Sequence, residues 1–336
     1  MSSSYDMSPI EYLKEILAVL PQIAEQTGYS TASLALSFAK TYLLYRVQID
    51  EFRTLHLYDY STNMQARFLT WRYSKAMADA LDAGAAPEEF AVFNDKHLFN
   101  QYFRDFIHRE WLYLPDASPE DVAAFLSKNP VFLVKACTGT QGEGISCLES
   151  AGTSAQTLKA QYSGQPVILE SFIQQHPVMA ELNPSSVNTV RIIAARKGDM
   201  VQLIGVGLRS GGGGQFVDNF HHGGTAYPLD METGIVTAPG KDLDGNDVLR
   251  HPVSGRIMPG FQVPHWDNLL EQVHRASVMA PPHIGYVGWD IAITPDGVEF
   301  IEGNIKYPGN NIIQLDGPGP YARLQDFMQR TSIRKA

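Results

Sequence analysis

The chain has 336 residues and carries 26 lysines and arginines against 36 aspartates and glutamates, a net charge of −10. This balance excludes a general nucleic-acid binder, because such a protein needs a basic surface to neutralise phosphates. The 44% hydrophobic and 18% charged residues exclude a disordered chain, and the length is sufficient for two or three subdomains.

The chain has two cysteines, Cys137 and Cys147, which are too few for a disulfide scaffold in a protein of this size. No basic N-terminal run leads into an apolar stretch, and no window approaches 18 uninterrupted apolar residues. We therefore expect a cytoplasmic protein with free thiols and no membrane insertion.

The first third of the chain is predicted to be helical. Apolar residues recur at helical spacing over residues 10–44 and again over residues 63–83. We expect three residues to interrupt or end these helices: Pro21, Gly28 and Gly84. Asn94 or Asp95 is expected to cap a further helix, and the pattern stays mostly helical up to residue 129.

Beyond residue 130 the pattern favours strands. Short apolar runs predict strands over residues 131–135, 167–173, 190–195, 201–208, 285–294 and 298–301. The first of these is followed by a glycine-rich turn at residues 139–144 and a second strand-like piece. The whole pattern predicts an α+β fold preceded by a mostly helical region.

Two strands near the C-terminus are predicted to form a hairpin through a Pro-Asp-Gly turn at residues 295–297. With a three-residue loop, Thr294 faces Val298. Four residues away from the turn on each strand, Asp290 then faces Glu302.

Asn304 lies two residues beyond Glu302 and hence on the same face of its strand. Two directly opposed carboxylates destabilise a strand pair unless a cation lies between them. Carboxylate and amide oxygens with open positions suit Mg²⁺ that is held jointly with phosphates. The alternative is a register slipped by one residue, which turns one carboxylate toward solvent.

Lys135 and the glycine-rich turn after it are the candidate phosphate site. No Gly-Lys-Ser or Gly-Lys-Thr occurs, and no G-x-G-x-x-G follows a strand, so the common nucleotide motifs are absent. Backbone N–H groups of such a turn can close over phosphates while Lys135 contacts one of them. A purely structural turn between two strands is the alternative.

Several short motifs occur in an order that resembles the ATP-grasp enzymes. They are Lys135 with Gly139-x-x-Gly142-x-Gly144, Leu169-Glu170-Ser171-Phe172-Ile173, Asn188-Thr189-x-Arg191, Gly288-Trp289-Asp290 and Ile301-Glu302-Gly303-Asn304. Further pieces resemble the sugar-transfer-associated branch of that superfamily: Gln175-His176, Ser185 to Arg191, Val217-Asp218-Asn219, Gly223-Gly224 and His251-Pro252. The resemblance covers roughly residues 94–310.

The resemblance implies an ATP-grasp fold, in which two α+β subdomains enclose ATP. It places a helical N-terminal region at residues 1–93, a first subdomain with the phosphate lid at 94–172 and a second with the Mg²⁺ site at 173–336. The helical opening departs from the first domain of many ATP-grasp ligases, so their substrate pocket is not carried over.

The resemblance also implies roles for individual residues. Lys96 and Lys135 correspond to the pair that holds the α- and β-phosphates. Gly139, Gly142 and Gly144 correspond to the phosphate lid, and Glu170, with the backbone of Ser171, Phe172 and Ile173, to the hinge that reads adenine. The Mg²⁺ ligands correspond to Asp290, Glu302 and Asn304, with Mn²⁺ as an alternative metal.

Two arginines, Arg191 and Arg209, correspond to the groups that stabilise the transferring phosphoryl and the acyl phosphate, since a guanidinium matches phosphate oxygens. Residues expected to contact substrate are Asn188, Asn219, His222, Gly223 and Gly224.

The function implied is an ATP-dependent carboxylate–amine ligase that forms an amide through an acyl phosphate and releases ADP and phosphate. Its partners are then a small-molecule carboxylate and an amine, such as an amino acid or a sugar acid of surface-polysaccharide or secondary metabolism. Two alternatives stay open: a kinase acting on a small-molecule acceptor, and a non-catalytic nucleotide-binding scaffold. The sequence leaves the oligomeric state undetermined.

Overall fold

The computed structural model describes residues 8–139, 144–212, 224–306 and 308–332. Four residues with predicted roles lie outside these ranges: Gly142, Asn219, His222 and Gly223. Within the described ranges, no helix combines the length and the apolar content that a bilayer crossing requires.

The N-terminal region is helical, as predicted. Its helices are α1 (Pro9–Thr27), α2 (Thr31–Tyr45), α3 (Ile49–Thr54), α4 (Thr62–Gln65) and α5 (Trp71–Leu81), with a 3-10 turn at Leu57–Asp59. Gly28 ends α1 with a φ of +78°. Pro21, which was expected to interrupt this helix, lies inside it, because the residues around it, Val19, Leu20 and Ile23, are buried in the core and their packing outweighs the lost hydrogen bond.

Two short helices connect this region to the first sheet. They are α6 (Pro87–Asn94) and α7 (Lys96–Tyr102), followed by a 3-10 turn at Arg104–Phe106. The Asp95 side chain caps α7 by accepting hydrogen bonds from the backbone N–H groups of His97 and Leu98, at 2.8 and 3.2 Å.

A four-stranded antiparallel sheet follows. Its elements are β1 (Trp111–Tyr113), α8 (Pro119–Lys128), β2 (Val131–Ala136), β3 (Ile145–Glu149), α9 (Ala155–Gln161) and β4 (Val167–Ser171), and the strand order is β1-β4-β2-β3. Both helices pack on one face of the sheet around Val122, Phe125 and Leu158. Strand β1 was not predicted, since three residues are too short for a periodic signal.

The remaining strands form a seven-stranded antiparallel sheet. Its elements are α10 (Pro177–Ala180), β5 (Thr189–Lys197), β6 (Met200–Ser210), β7 (Thr225–Pro228), β8 (Gly240–Lys241), β9 (Asp247–Val248), α11 (Trp266–Met279), β10 (Tyr286–Thr294), β11 (Gly297–Asn304), a 3-10 turn at Ile312–Gln314 and α12 (Gly319–Arg330). The strand order is β11-β10-β5-β6-β7-β8-β9. Strands β7 to β9 were also missed by the sequence pattern.

The two faces of the large sheet have different environments. On one face Trp289, Ile291 and Phe300 belong to the largest core, which includes α11. On the other face Ile193 and Tyr286 pack with α5 and α12. This second face is apolar only along part of its length and becomes charged toward the carboxyl end of β11.

The β10–β11 hairpin differs from the prediction in its turn. The turn has two residues instead of three, so Thr294 does not face Val298. A β-bulge at Ile301 adds one residue to β11 and shifts the register by one. The prediction that Asp290 faces Glu302 is therefore confirmed, although it is the bulge and not the turn that aligns them.

Candidate functional site

Five predicted residues share one face of the large sheet. Asp290 pairs across the strands with Arg191 of β5 on one side and with Glu302 of β11 on the other. Asn304 lies two residues beyond Glu302. Arg191 pairs with Gly207 of β6, so Arg209, two residues on, also lies on this face.

Asp290 is the centre of this cluster. Its carboxylate accepts hydrogen bonds from Arg191 Nε at 2.5 Å and Nη2 at 2.6 Å, and from Arg209 Nη1 at 2.9 Å. Burial alone would raise the pKa of Asp290, but the two guanidinium groups outweigh burial and hold this pKa at about 2. Asp290 is thus a buried, ionised carboxylate at neutral pH.

Glu302 and Asn304 complete an oxygen-rich group next to Asp290. The Glu302 carboxyl lies within hydrogen-bonding range of the Asp290 carboxylate. The Asn304 amide lies 3.4 Å from Asp290 Oδ2 and 3.3 Å from Glu302 Oε1. No group of three or more His, Cys, Asp or Glu side chains that is able to hold a metal occurs among the described residues. The candidate set is two carboxylates and an amide, and such hard oxygen donors fit Mg²⁺ that also takes phosphate oxygens.

Lys96 lies between the first sheet and this cluster. Its backbone N–H donates to the carbonyl of Cys137, just after β2, at 2.8 Å, and its Nζ donates to the carbonyl of Gly139 at 3.1 Å. Burial lowers the pKa of Lys96, while the negative charge of Glu302 opposes that shift. A lysine fixed to the base of the glycine-rich turn therefore lies close to a carboxylate of the other sheet.

Lys135 is held by Glu170, which lies beneath it. Lys135 Nζ lies 2.5 Å from Glu170 Oε2, and Arg109 Nη2 lies 2.9 Å from Oε1. Asn100 of α7 also donates to Oε1, at 3.0 Å. Burial alone would raise the pKa of Glu170, yet the two cations hold this pKa far below its usual range. The Glu170 carboxylate, predicted to help read adenine, is thus engaged by protein groups.

Arg109 joins the two sheets and was missed by the sequence reasoning. Besides Glu170 of β4, it contacts Glu299 of β11 through Nη1 at 2.9 Å, and the same nitrogen donates to the carbonyl of Phe300 at 2.8 Å. The side chains of Arg109, Glu170 and Glu299 are only 2–4% exposed. Nothing in the run His108-Arg109-Glu110 distinguishes such a bridge from a surface arginine, so no sequence signal was available.

Residues 308–313 cover part of the charged face, and glycines make room for them. The Pro308 carbonyl accepts from Arg191 Nη1 at 2.8 Å. A Cβ at Gly288 would lie 2.4 Å from the Pro308 oxygen, and one at Gly207 would lie 2.6 Å from the Ile312 oxygen. These two positions therefore admit only glycine while the segment keeps its place.

Asn188 lies beneath the site. It is fully buried, and its Nδ2 donates to Gln175 Oε1 and to the Met179 carbonyl, both at 2.8 Å. Its Oδ1 accepts from Ser210 Oγ at 2.5 Å, and Ser210 in turn lies 2.6 Å from His251 Nε2. The hydrogen bonds of the Asn188 amide thus hold the start of β5 against the end of β6.

His251 is a neutral member of this network. Its Nδ1 accepts from the backbone N–H groups of Val253 and Ser254, so its Nε2 carries the proton and donates to Ser210. Burial lowers the pKa of His251 to about 4. The sequence pattern singled out this histidine without a chemical reason, and the structure supplies one.

The predicted hinge begins in β4, which ends with Glu170 and Ser171, and continues beyond the strand. The Ser171 backbone N–H donates to the Glu110 carbonyl at 2.9 Å, so it belongs to the sheet, while Phe172 is 42% exposed. A cavity of about 710 Å³ opens beside the hinge and is bounded by the β10–β11 turn. Of the remaining predicted residues, Gly139 and Gly144 lie on either side of residues 140–143, which are outside the described ranges, and Gly224 lies buried directly before β7.

Comparison with solved structures gives several ligases. The ATP-grasp ligase PsnB, complexed with minimal precursor, Mg and ADP, matches with a TM-score of 0.40 and 15% identity over 73% of this chain and 61% of that chain. The D-alanine–D-alanine ligase of Coxiella burnetii gives 0.37 and 13%, over 73% and 62%. Phosphoribosylamine–glycine ligase of Thermotoga maritima gives 0.45 and 11%, over 75% and 57%. The chain spans less than two thirds of each of these proteins.

Among curated proteins, a stretch of 73 residues is 33% identical to part of DNA polymerase III subunit alpha from Chlamydia muridarum. That stretch is 20% of this chain and 6% of the polymerase subunit. The model of the sugar-transfer-associated ATP-grasp family, in contrast, matches residues 85–329, well over half of the chain. The chain therefore belongs to the sugar-transfer-associated ATP-grasp family and has the ATP-grasp fold.

Proposed function

We propose that the protein is an ATP-dependent carboxylate–amine ligase that uses ATP and Mg²⁺. In this reaction a substrate carboxylate oxygen attacks the γ-phosphorus, the bond to the β-phosphate oxygen breaks, and ADP leaves. An amine then attacks the acyl phosphate, loses a proton and displaces phosphate, which gives an amide.

The observation that carries this proposal is the charged cluster between the two sheets. Lys96 and Lys135 come from the first sheet and its helix, and Arg191 and Arg209 come from the second. With Arg109 they are opposed by four carboxylates, Glu170, Asp290, Glu299 and Glu302, so cations exceed carboxylates by one. A cationic cleft of this kind suits a polyphosphate together with a divalent metal.

Within this proposal, Lys96 and Lys135 bind the α- and β-phosphates from the side of the first sheet. Glu170 orients Lys135 and leaves the backbone of residues 172–173 to contact adenine. Gly139 and Gly144 flank the lid over the phosphates.

Asp290, Glu302 and Asn304 would hold Mg²⁺, which when bound neutralises charge on the transferring phosphoryl group. Arg191 and Arg209 neutralise Asp290, and in this proposal their guanidinium groups also contact the phosphate oxygens. They would stabilise the transferring phosphoryl and the acyl phosphate by preorganised hydrogen bonds.

The first test is Glu302→Gln, which removes one negative charge from the proposed metal site and keeps the side-chain shape. We expect Mg²⁺-dependent ADP formation to fall by roughly 100-fold or more, the typical effect of losing one preorganised electrostatic group. Glu271→Gln, on the exposed surface of α11, is the matched control and should match wild type. ADP formation by Glu302→Gln at the wild-type rate would remove the metal assignment.

A second measurement separates the ligase from the kinase alternative. Hydroxylamine is added as a general amine together with ATP, Mg²⁺ and pools of amino acids or sugar acids, and hydroxamate formation is measured. A ligase gives a hydroxamate because hydroxylamine captures the acyl phosphate. ADP formation with a stable phosphorylated acceptor and no hydroxamate would replace the ligase by a kinase.

A further inference from the structure

The helices α1 and α2 present an apolar outer surface that no other described residue covers. Five large side chains on it are more than half exposed: Ile10 at 70%, Leu13 at 55%, Leu17 at 64%, Leu36 at 74% and Leu43 at 69%. These residues precede the region that the family model matches. They therefore lie outside the part of the chain that carries the proposed nucleotide site.

Helix α2 is apolar on both sides. Its inner side places Leu34 and Phe38 in the N-terminal core. Its outer side carries Ala32, Leu36, Ala39 and Leu43 at spacings of four, three and four residues, the pattern of a helix–helix seam. Lys40 is the single charged residue in this 15-residue helix. A helix with two apolar sides is expected to pack on both of them.

The outer seam of α1 lies beside that of α2. The rings of Tyr12 and Tyr42 are 6.4 Å apart, so the start of α1 packs against the end of α2. Glu15 lies near the charges of α3, which places α3 along one edge of α1. At 100° per residue, Leu13 and Leu17 each lie about 160° around α1 from Glu15, and hence on the edge away from α3. Because α1 and α2 pack side by side, we infer that their exposed apolar residues form one surface, the α1–α2 face, defined by Ile10, Leu13, Leu17, Ala32, Leu36, Ala39 and Leu43.

We propose that the α1–α2 face binds a second copy of this chain, so that two α1–α2 pairs form a four-helix bundle. The α2 seam is complementary to itself in an antiparallel arrangement. A two-fold axis midway between Leu36 and Ala39 puts Leu36 opposite the partner's Ala39 and Leu43 opposite the partner's Ala32. Each large side chain then meets a small one, as interdigitated packing requires.

The size and charge of the surface agree with a second copy as the occupant. The five large side chains expose on the order of 300 Å² of apolar area. A standard interface buries about 800 Å² per partner, a little over half of it apolar. Together with Ala32, Ala39 and the stems of Lys14 and Lys40, the α1–α2 face supplies most of that apolar area. Its low charge removes the like-charge repulsion that two copies of an acidic chain otherwise meet.

The test compares two neighbouring leucines on the same helix by analytical ultracentrifugation of the full chain. Wild type is expected to sediment at twice the chain mass of 37.2 kDa. Leu43→Glu, in the seam, is expected to sediment as a monomer. Leu44→Glu is the matched control, because Leu44 is 56% exposed but lies about 100° away around the helix, and it should stay dimeric. Circular dichroism and thermal unfolding confirm that both variants are folded.

A cross-linking experiment tests the antiparallel geometry without destabilising charges. The double variant Leu36→Cys with Ala39→Cys is expected to form a disulfide-linked dimer under mild oxidation, whereas Leu44→Cys is not. A monomeric wild type at all concentrations overturns the proposal, and so does equal dissociation by Leu43→Glu and Leu44→Glu. Cross-linking by Leu36→Cys alone as efficiently as by the pair overturns the antiparallel seam. All these outcomes are independent of ATP turnover, so they stand apart from the proposed function.

Discussion

Arg109 shows how a single buried residue supports the whole site. It neutralises Glu170 and Glu299 at once, and each of these carboxylates belongs to a different sheet. Through Glu170 it also fixes Lys135. A residue with no expected contact to substrate thus determines the position of Lys135, the lysine proposed to bind phosphate.

Replacing this arginine by a side chain of similar length tests its role. Arg109→Met leaves two buried carboxylates without their shared cation, and we expect the free energy of unfolding to fall by about 3–5 kcal/mol. Urea denaturation measures this loss. Arg104→Met is the control, because its side chain is 81% exposed and its removal should leave the unfolding midpoint unchanged. Equal midpoints for Arg109→Met and wild type would mean that the bridge contributes no stability.

The predictability of the site also differs from residue to residue. The sequence predicted that Asp290 faces Glu302 only because the errors in the turn and in the bulge cancel, whereas strand alternation alone places Asn304 on the same face as Glu302. Arg109 and Glu299 were not predicted, since their meeting depends on how two sheets pack, and strand periodicity contains no information about that. The burial of Asn188 and its hydrogen bonds could not be predicted either, since a motif contains no information about them.

At the scale of elements, α7 links its own stability to the position of Lys96. Asp95 caps this helix, and Lys96 is its first residue. Asp95→Ala should therefore cost about 1 kcal/mol of stability and also weaken ATP binding.

Ser118→Ala is the matched change for that experiment. Ser118 caps α8, whose residues have no assigned role in the site, and its Oγ accepts from the Asp121 N–H at 3.0 Å. Both variants should lose similar stability, measured by chemical denaturation. Only Asp95→Ala should show a several-fold higher Kd for ATP by calorimetry, and an equal Kd in both variants would contradict the link between cap and lysine.

The longer elements were predictable and their irregularities were not. The helical region and the long strands follow from apolar periodicity, whereas β1 and β7 to β9 are too short to show one. The β10–β11 hairpin is instructive, because the two-residue turn and the bulge at Ile301 were both missed and their effects on register cancel. A bulge depends on local hydrogen bonding that the alternation of side chains does not report.

At the scale of the whole molecule, Asp82 connects the helical region to the large sheet. It lies at the end of α5, and its Oδ1 accepts from the backbone N–H of Gly285, next to β10, at 2.7 Å. Burial raises the pKa of Asp82 to about 7, although the backbone hydrogen bonds from Gly285 and Tyr286 oppose the shift.

This raised pKa predicts a pH dependence of stability. Between about pH 4 and 7 the folded protein keeps a proton on Asp82 that the unfolded chain has lost, so the free energy of unfolding decreases as pH rises through this window. Asp82→Asn removes the titration and should flatten that part of the curve, which urea denaturation at pH 4, 5, 6 and 7 measures. Parallel curves for the variant and wild type would show that Asp82 is ionised in the folded state.

The glycines at positions 207 and 288 have a consequence for any screen of sequence variants. Neither has a side chain to contribute, yet an alanine at either position would push away residues 308–313 and with them the carbonyl that holds Arg191. Comprehensive mutagenesis scored by activity would rank both glycines beside the charged residues of the cleft. A map of tolerated substitutions will therefore show the same intolerance at glycines that leave space for another segment and at charged residues of the proposed site. Only their positions in the structure distinguish these two causes.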